Sequence, residues 1–167
     1  MFRPLTKRQT IYVLAIILFI LQFFDIQLPD KTIVTTEKQK TQVVYVVDGD
    51  TIIVDGNKKV RYIGINSTEL KTKKNPDECF AREALDENKK LLENKQIFLE
   101  KDTSEVDKYK RLLRYVWADD IFVNDYLVRN GFAKIATYPP DTKYYLQFKQ
   151  AEQEARENKR GLWGVCR

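Results

Sequence analysis

The sequence predicts a mainly β, α+β domain: a five-stranded Greek-key barrel of the OB type with about three helices, behind an N-terminal hydrophobic segment. Three observations carry that expectation. Short β-branched and aromatic runs recur between turn signals. A helical stripe interrupts them after the third run, and further helical stripes close the chain. The length, 167 residues, allows one domain of ordinary size with a short appendage.

The appendage comes first. Positions 1–10 carry Arg3, Lys7 and Arg8 and no acidic residue. Ile11–Phe24 then reads IYVLAIILFILQFF, with Gln22 its one strongly polar member, and Asp25 and Asp30 follow. A basic start, an apolar run and an acidic flank keep the N-terminus cytoplasmic and send the remainder out. At about 1.5 Å per residue the run spans roughly 21 Å, short of the ~30 Å hydrocarbon core, a length that suits a signal peptide. No small-x-small cleavage site follows it, which favours an uncleaved signal-anchor stretched by Leu5, Ile26 and Leu28. Residues 1–29 are therefore expected to be a signal-anchor or transmembrane segment, or else a signal peptide. The rest of the chain is placed outside the cytoplasm, held at the cell membrane or secreted after cleavage. Residues 30–42 (DKTIVTTEKQKTQ) lack periodicity and read as a linker, and 43–167 is the folded domain.

Within that domain, Val43–Val47 is a β-branched run ending at Asp48-Gly49-Asp50, and Thr51–Val54 resumes it. Asp55-Gly56-Asn57 between apolar runs is a hairpin signal, and Val60–Ile65 returns with strand alternation. Over Phe80–Leu92 the period becomes helical, with Phe80, Ala81, Ala84, Leu85 and Leu92 on one stripe. Gln96–Glu100 and Arg111–Ala118 are the fourth and fifth strands. Val123–Asn130 is a short helix stopped at Gly131. Asp141 or Thr142 is expected to cap a last helix whose stripe is Tyr144, Phe148, Ala151 and Ala155.

Composition narrows the chemistry. The chain has no histidine, which excludes Ser-His-Asp and Cys-His hydrolysis and His-based zinc sites. Acid–base work falls to Asp, Glu, Lys or Tyr, and a cation site must use oxygen ligands. Two cysteines cannot build a four-cysteine zinc site. The net charge of +5 suits a backbone reader of nucleic acid without proving one.

Three stretches concentrate the functional groups. In Asp48-Gly49-Asp50-Thr51 two carboxylates bracket a glycine, an arrangement that can converge on a hard cation or simply turn the chain. In Arg61-Tyr62-Ile63-Gly64-Ile65-Asn66-Ser67-Thr68-Glu69 an apolar strand begins with arginine and ends in oxygen side chains. Asp107-Lys108-Tyr109-Lys110-Arg111 leads a basic, aromatic run into a strand; such a run is a solvated face or a phosphate clamp.

Together, in this order and spacing, the stretches resemble the staphylococcal nuclease (thermonuclease) family of OB-barrel phosphodiesterases. The resemblance runs from Val43 to Trp163. VVDGDT looks like the family's first metal motif, with Asp50 on its calcium-ligating aspartate. RYIGINSTE looks like the arginine-to-glutamate segment, Glu69 following Arg61 by eight positions. DKYKRLLRYVWADD supplies the second arginine, Arg111, and FVNDYLVRNGFAKI the helix beneath the barrel, with Asn124 on a structural asparagine. The resemblance implies a calcium-dependent endonuclease, a hydrolase cleaving DNA and RNA with little sequence preference to 3′-phosphate products. Its calcium would be held by Asp50, Asn66 and the Ser67 carbonyl. Glu69 would act as general base, and Arg61 and Arg111 would bind the phosphate. Lys108, Tyr109 and Tyr138 would line the nucleotide groove by charge and stacking. The partners implied are nucleic-acid backbones and, through the N-terminal segment, a membrane, with no small-molecule cofactor and a monomeric chain.

Where the family has Asp-Thr-Pro-Glu the chain has Asn66-Ser67-Thr68-Glu69, three differences. Asn66 replaces the second calcium-ligating aspartate, so calcium affinity is expected to fall. Ser67 would offer only its backbone carbonyl, and loss of the proline loosens the turn that positions Glu69. The alternative function is a catalytically weakened OB module that binds nucleic acid or protein at the cell surface. Finally, the even cysteine count and the exported context predict a Cys79–Cys166 disulfide. That bridge is expected to tie the last helix to the barrel without touching the catalytic groups.

Overall fold

The structure, a computed structural model, describes residues 6–23, 38–71 and 75–166. The chain divides into two units, Met1–Thr35 and Thr36–Arg167. The first holds α1 (Lys7–Phe23), a helix of 17 residues. Gln9 caps it by accepting from the Thr6 amide at 3.0 Å. Its first turn is Lys7-Arg8-Gln9-Thr10, and at about 1.5 Å per residue the whole helix spans roughly 26 Å. No helix among the described residues is long and apolar enough to cross a membrane, so the expected transmembrane helix is not found among them. At 17 residues α1 is shorter than the ~20 that a spanning helix needs. The expected segment beyond Phe23, and the linker as far as position 37, lie outside the described residues.

In the second unit, β1 (Gln39–Val46), β2 (Thr51–Val54) and β3 (Lys58–Tyr62) form an antiparallel meander. The Asp55-Gly56-Asn57 turn joins the last two, with Gly56 and Asn57 at positive φ. Next come β4 (Gly64–Ser67) and α2 (Ala81–Leu92), then β5 (Gln96–Glu100) antiparallel to β1. β6 (Leu112–Ala118) pairs antiparallel with β5 and parallel with β3, which closes a five-stranded barrel. The two-residue β7 (Ile121–Phe122) leads into α3 (Val123–Arg129), and β8 (Ala133–Ala136) pairs with β4. α4 (Tyr145–Glu157) and the single-turn α5 (Leu162–Val165) end the chain. This is the OB-type, mainly β fold that the sequence predicts.

The barrel interior is filled by Val43, Val46, Ile52, Val54, Val60, Tyr62, Ile97, Leu99, Tyr115 and Val116. Val123, Leu127 and Val128 of α3 and Phe148 and Ala151 of α4 join the same core. Each large apolar side chain removed from water stabilises by about 1.5–3 kcal/mol.

Three elements differ from expectation. β1 begins at Gln39, inside the expected linker, because Gln39–Gln42 pair with Leu99–Gln96 and the Gln42 amide donates to Asp55 Oδ2 at 2.9 Å. The third expected strand is two, since the chain turns at Gly64 (φ +80°) and β4 leaves to pair with the unforeseen β8. A Cβ at Gly64 would lie 2.5 Å from Phe148 Cε2, so only glycine allows this approach to α4. The last helix starts at Tyr145 and neither Asp141 nor Thr142 caps it, because Asp141 Oδ1 is spent accepting the Ser104 amide at 2.7 Å.

Two interactions hold these parts together. Asn124 is fully buried; its Nδ2 donates to the Ile63 carbonyl and its Oδ1 accepts the Val116 amide, both at 2.9 Å. It thereby pairs the backbone where β3 and β4 part. Cys79 and Cys166 form a disulfide with Cα atoms 5.8 Å apart. The bridge spans a sequence separation of 87, and closing a loop of that length stabilises by ~4–5 kcal/mol in the chain-entropy account.

Asn124→Ala should leave a buried carbonyl and a buried amide unpaired. Urea denaturation is expected to show a loss of about 3 kcal/mol; a loss below about 0.5 kcal/mol would show that the barrel does not need this strut.

Candidate active site

Asp50 sits at the start of β2, pressed against β4. The close approach depends on Gly49, where a Cβ would fall 2.6 Å from Ser67 Cβ and 2.8 Å from Ala84 Cβ. Asp50 is buried and fully engaged. Its Oδ2 accepts from the Ser67 amide (2.6 Å) and hydroxyl (3.1 Å), and its Oδ1 from the Thr51 hydroxyl (3.0 Å). Arg61 Nη1 pairs with Oδ2 at 2.8 Å. Asp48 lies against this cluster, within the reach of the charges of Asp50 and Arg61. Its Oδ1 accepts the Asp50 amide at 2.9 Å, and burial, aided by the Asp50 charge, pushes its carboxyl up to about 6.

Arg61, on β3, forks between two strands. While Nη1 holds Asp50, Nη2 donates to Asn66 Oδ1 on β4 at 2.6 Å. Asn66 Nδ2 in turn donates to the Ser67 carbonyl at 3.1 Å. One guanidinium therefore already spans two of the three expected metal donors, and the third is tied to them through the Asn66 amide.

Beside this cluster opens a cleft of about 590 Å³, lined by Arg61, Asn66, Lys108, Tyr109, Arg111 and Tyr138 among others. Of the three expected metal donors Asn66 lines it, while Asp50 and Ser67 are buried and do not. The parallel pairing of β3 with β6, Val60 opposite Leu112, brings Arg61 and Arg111 to the same end of the barrel. Arg111 is held by Asp107: Nε donates to Asp107 Oδ2 at 2.7 Å, and the Arg111 and Tyr109 amides donate to Oδ1 at 3.0 and 2.9 Å. Burial works to raise the Asp107 carboxyl, but these hydrogen bonds outweigh it and hold the group below the ordinary aspartate range. Tyr109 and Tyr138 stand at the rim, 68% and 74% exposed, with rings open to solvent. The Arg111 guanidinium lies 5.5 Å and Lys108 Nζ 5.1 Å from the Tyr109 ring centroid.

Not every expected residue enters this cleft. Glu69 follows β4 on an exposed stretch and does not line it; its backbone pairs with Glu78 instead. The neighbouring Thr68 hydroxyl is buried without a hydrogen-bond partner. Sequence reasoning assigned no role to Asp107 or Glu78. The spacing of Asp107 and Arg111, four positions apart before a strand, was the available signal for the first.

Comparison with known proteins agrees with this geometry. The family model described as staphylococcal nuclease homologue matches residues 59–165. The chain belongs to the staphylococcal nuclease family. It is 34% identical over 166 residues to the thermonuclease of Staphylococcus hyicus, covering 96% of this chain and 98% of that protein. The thermonuclease of Staphylococcus intermedius is 33% identical over 165 residues, with the same coverage. Endonuclease YncB of Bacillus subtilis (strain 168) is 38% identical over 122 residues, 70% of this chain and 58% of that protein.

The resemblance to thermonucleases implies a calcium ion, and the residues present fit one. The Asp50 carboxylate, the Asn66 amide oxygen and the Ser67 carbonyl are hard oxygen donors of the kind calcium takes. Arg61 shows that a single cationic group reaches two of them at once. Among the described residues no three Asp, Glu, Cys or His side chains gather, so one carboxylate carries the charge of this donor set.

Asp107→Ala removes the acceptor of three donors and releases Arg111 from its fixed orientation. It is expected to lower kcat/KM on DNA by about tenfold or more, since misorienting a substrate clamp costs up to ~10²-fold. Steady-state kinetics that match the unaltered protein would show that Arg111 needs no such holder.

Proposed function

We propose that the chain is a calcium-dependent endonuclease, acting outside the cytoplasm, that hydrolyses DNA and RNA with little sequence preference. Family membership makes it a nuclease, a hydrolase of phosphodiester bonds. What carries the finer reading is one arrangement: Arg61 and Arg111 share a cleft with Asn66 and with Tyr109 and Tyr138 at its rim, and Arg61 links that cleft to the buried Asp50 carboxylate.

Each group has a task its chemistry allows. Arg111, fixed through Nε, presents its two terminal nitrogens as a fork to a phosphate. Arg61 opposes it from β3, so negative charge gathering on the phosphorus oxygens in the transition state meets guanidinium from two strands. Tyr109 and Tyr138 offer stacking faces indifferent to base identity, and Lys108 adds charge for the backbone; neither reads sequence. Glu69 is assigned the proton of the attacking water by the family's motif rather than by its position, since it does not line the cleft, and the absence of histidine leaves that work to a carboxylate. Calcium held by Asp50, Asn66 and the Ser67 carbonyl would supply charge neutralisation at a phosphodiester oxygen.

Export is supported by the basic, apolar start and by the Cys79–Cys166 bridge, which suits an oxidising compartment. We place the domain at the outer membrane face, anchored by the N-terminal segment or released after its cleavage, and acting as a monomer. The alternative, a weakened binding module, is favoured by one observation: Asn66 leaves Asp50 alone with an Arg61 counter-ion.

Digestion of single-stranded DNA and RNA across a millimolar calcium titration, then with EGTA, tests the reading; a folded protein inert throughout would overturn it. Glu69→Gln should lose at least ~10² in rate. Asn66→Asp restores a carboxylate and should lower the calcium midpoint, both by titration calorimetry without substrate and by activity. An unchanged calorimetric midpoint would remove Asn66 from the ligand set.

A further inference from the structure

We propose that Glu78 is a positioning residue for Glu69, and that the Cys79–Cys166 disulfide keeps Glu78 in place for that task. The proposal rests on the nuclease reading above, in which Glu69 is the base.

Glu69 lies on an exposed stretch, so core packing does not fix it. Two hydrogen bonds do. Glu78 Oε2 accepts from the Glu69 amide at 3.0 Å, and the Glu69 carbonyl accepts from the Glu78 amide at 2.9 Å. One residue thus clamps both backbone polar groups of Glu69, and the bond to the carboxylate is charge-assisted. A second rung follows: Asp77 Oδ1 accepts the Lys71 amide at 2.6 Å, while Asp77 Oδ2 accepts Arg82 Nε of α2 at 2.6 Å. The direction in which the Glu69 side chain leaves the backbone is set at this small ladder.

The ladder needs an anchor of its own, and the next two residues provide it. Cys79 is bonded to Cys166. Phe80, held at a positive φ of 71°, stacks on Phe132 with centroids 5.6 Å apart. On the far side, the Cys166 amide donates to the Leu162 carbonyl and the Leu162 amide to the Gly131 carbonyl, both at 2.9 Å, which ties α5 to the turn after α3. A continuous path therefore runs from the α3 end through α5, the disulfide and Glu78 to Glu69. The bridge, expected from sequence to tie the last helix to the barrel without touching the catalytic groups, stands one residue from Glu78. Displacing a base by about 1 Å costs up to ~10²-fold in rate without weakening phosphate binding.

The test uses the full chain with saturating calcium and single-stranded DNA, reading kcat, KM and the melting midpoint for each protein. Glu78→Ala should lose about tenfold or more in kcat with KM changed by less than about twofold, because Arg61 and Arg111 are untouched. Glu78→Gln keeps an Oε acceptor for the Glu69 amide and should recover most of that loss. Cys79→Ser/Cys166→Ser, assayed well below its melting midpoint, should lose kcat severalfold. Unaltered protein treated with a dithiol should match it: the dithiol gives two electrons and two protons, becomes a cyclic disulfide, and leaves two thiols. This arm reads the same position should Glu78→Ala fail to fold. An unchanged kcat in Glu78→Ala, or an equal loss in Glu78→Gln, would overturn the role of Glu78. An unchanged kcat after the bridge is opened would overturn the role of the disulfide. An inactive unaltered protein, or a Glu69→Gln variant of full activity, fails the nuclease reading instead, so the two failures are separable.

Discussion

Asp50 is a charge taken out of water, and a carboxylate so placed persists only where donors surround it. Its four partners come from three strands: Thr51 beside it on β2, Arg61 on β3, and the amide and hydroxyl of Ser67 on β4. Meeting that demand fixes where β4 runs after it leaves the barrel and requires the bare backbone of Gly49. The positions of Arg61 and Asn66 in the wall of the cleft follow from it. Glu100 is buried as deeply, yet it serves a different end: it accepts from Tyr144 (2.9 Å) and Trp117 Nε1 (3.0 Å) and pairs with Lys143. That network faces the entry of α4 and lines no part of the cleft.

Placing Arg61 and Asn66 on different strands creates a problem that Asn124 resolves. Where β3 ends and β4 departs, ladder hydrogen bonds are lost, and Asn124 replaces them from beneath with one donor and one acceptor. Phe148 of α4 fills the space left by Gly64 at the same break. The barrel closes on one side through the parallel β3–β6 pair, which also aligns the two arginines. Closure, break and cleft are three aspects of one local geometry.

How legible this was in the sequence depended on where each cause lay. Runs whose partners are near in sequence, such as β2 and β3 around Asp55-Gly56-Asn57, announced themselves by pattern and turn chemistry. β8 did not, because four residues pairing with β4 across the helix pair carry little period of their own. The polar start of β1 was hidden for a related reason: backbone pairing to β5 and Asp55, not side-chain burial, makes it a strand. Of the residues read from spaced motifs, Arg61 and Arg111 come together in the cleft, whereas Glu69 does not line it and Asp50 is buried beside Arg61. Their partners were not readable in the sequence. That Asp107 holds Arg111 and Glu78 holds Glu69 follows from loop closures that only the folded backbone defines.

The two arginines of the cleft are alike in sequence and unlike in state. Arg111 spends only Nε on its carboxylate, so among the described residues its terminal nitrogens remain turned to the cleft without a hydrogen-bond partner. It is organised before substrate arrives, and little entropy remains to be lost when a phosphate is bound. Arg61 has both terminal nitrogens committed, one to Asp50 and one to Asn66. Any cation attracted to those oxygens competes with the guanidinium, and any phosphate attracted to the guanidinium competes with those oxygens. Cation and phosphate together resolve both conflicts, whereas either alone resolves one. On the proposed nuclease reading the pairing itself would favour coupled occupancy, and Asn66 would set its strength: as a neutral acceptor it holds Arg61 less firmly than a second carboxylate would, and it would offer less charge to a cation. In that reading Asn66, one of the residues that depart from the family's motif, would be the one on which the balance between those two demands turns.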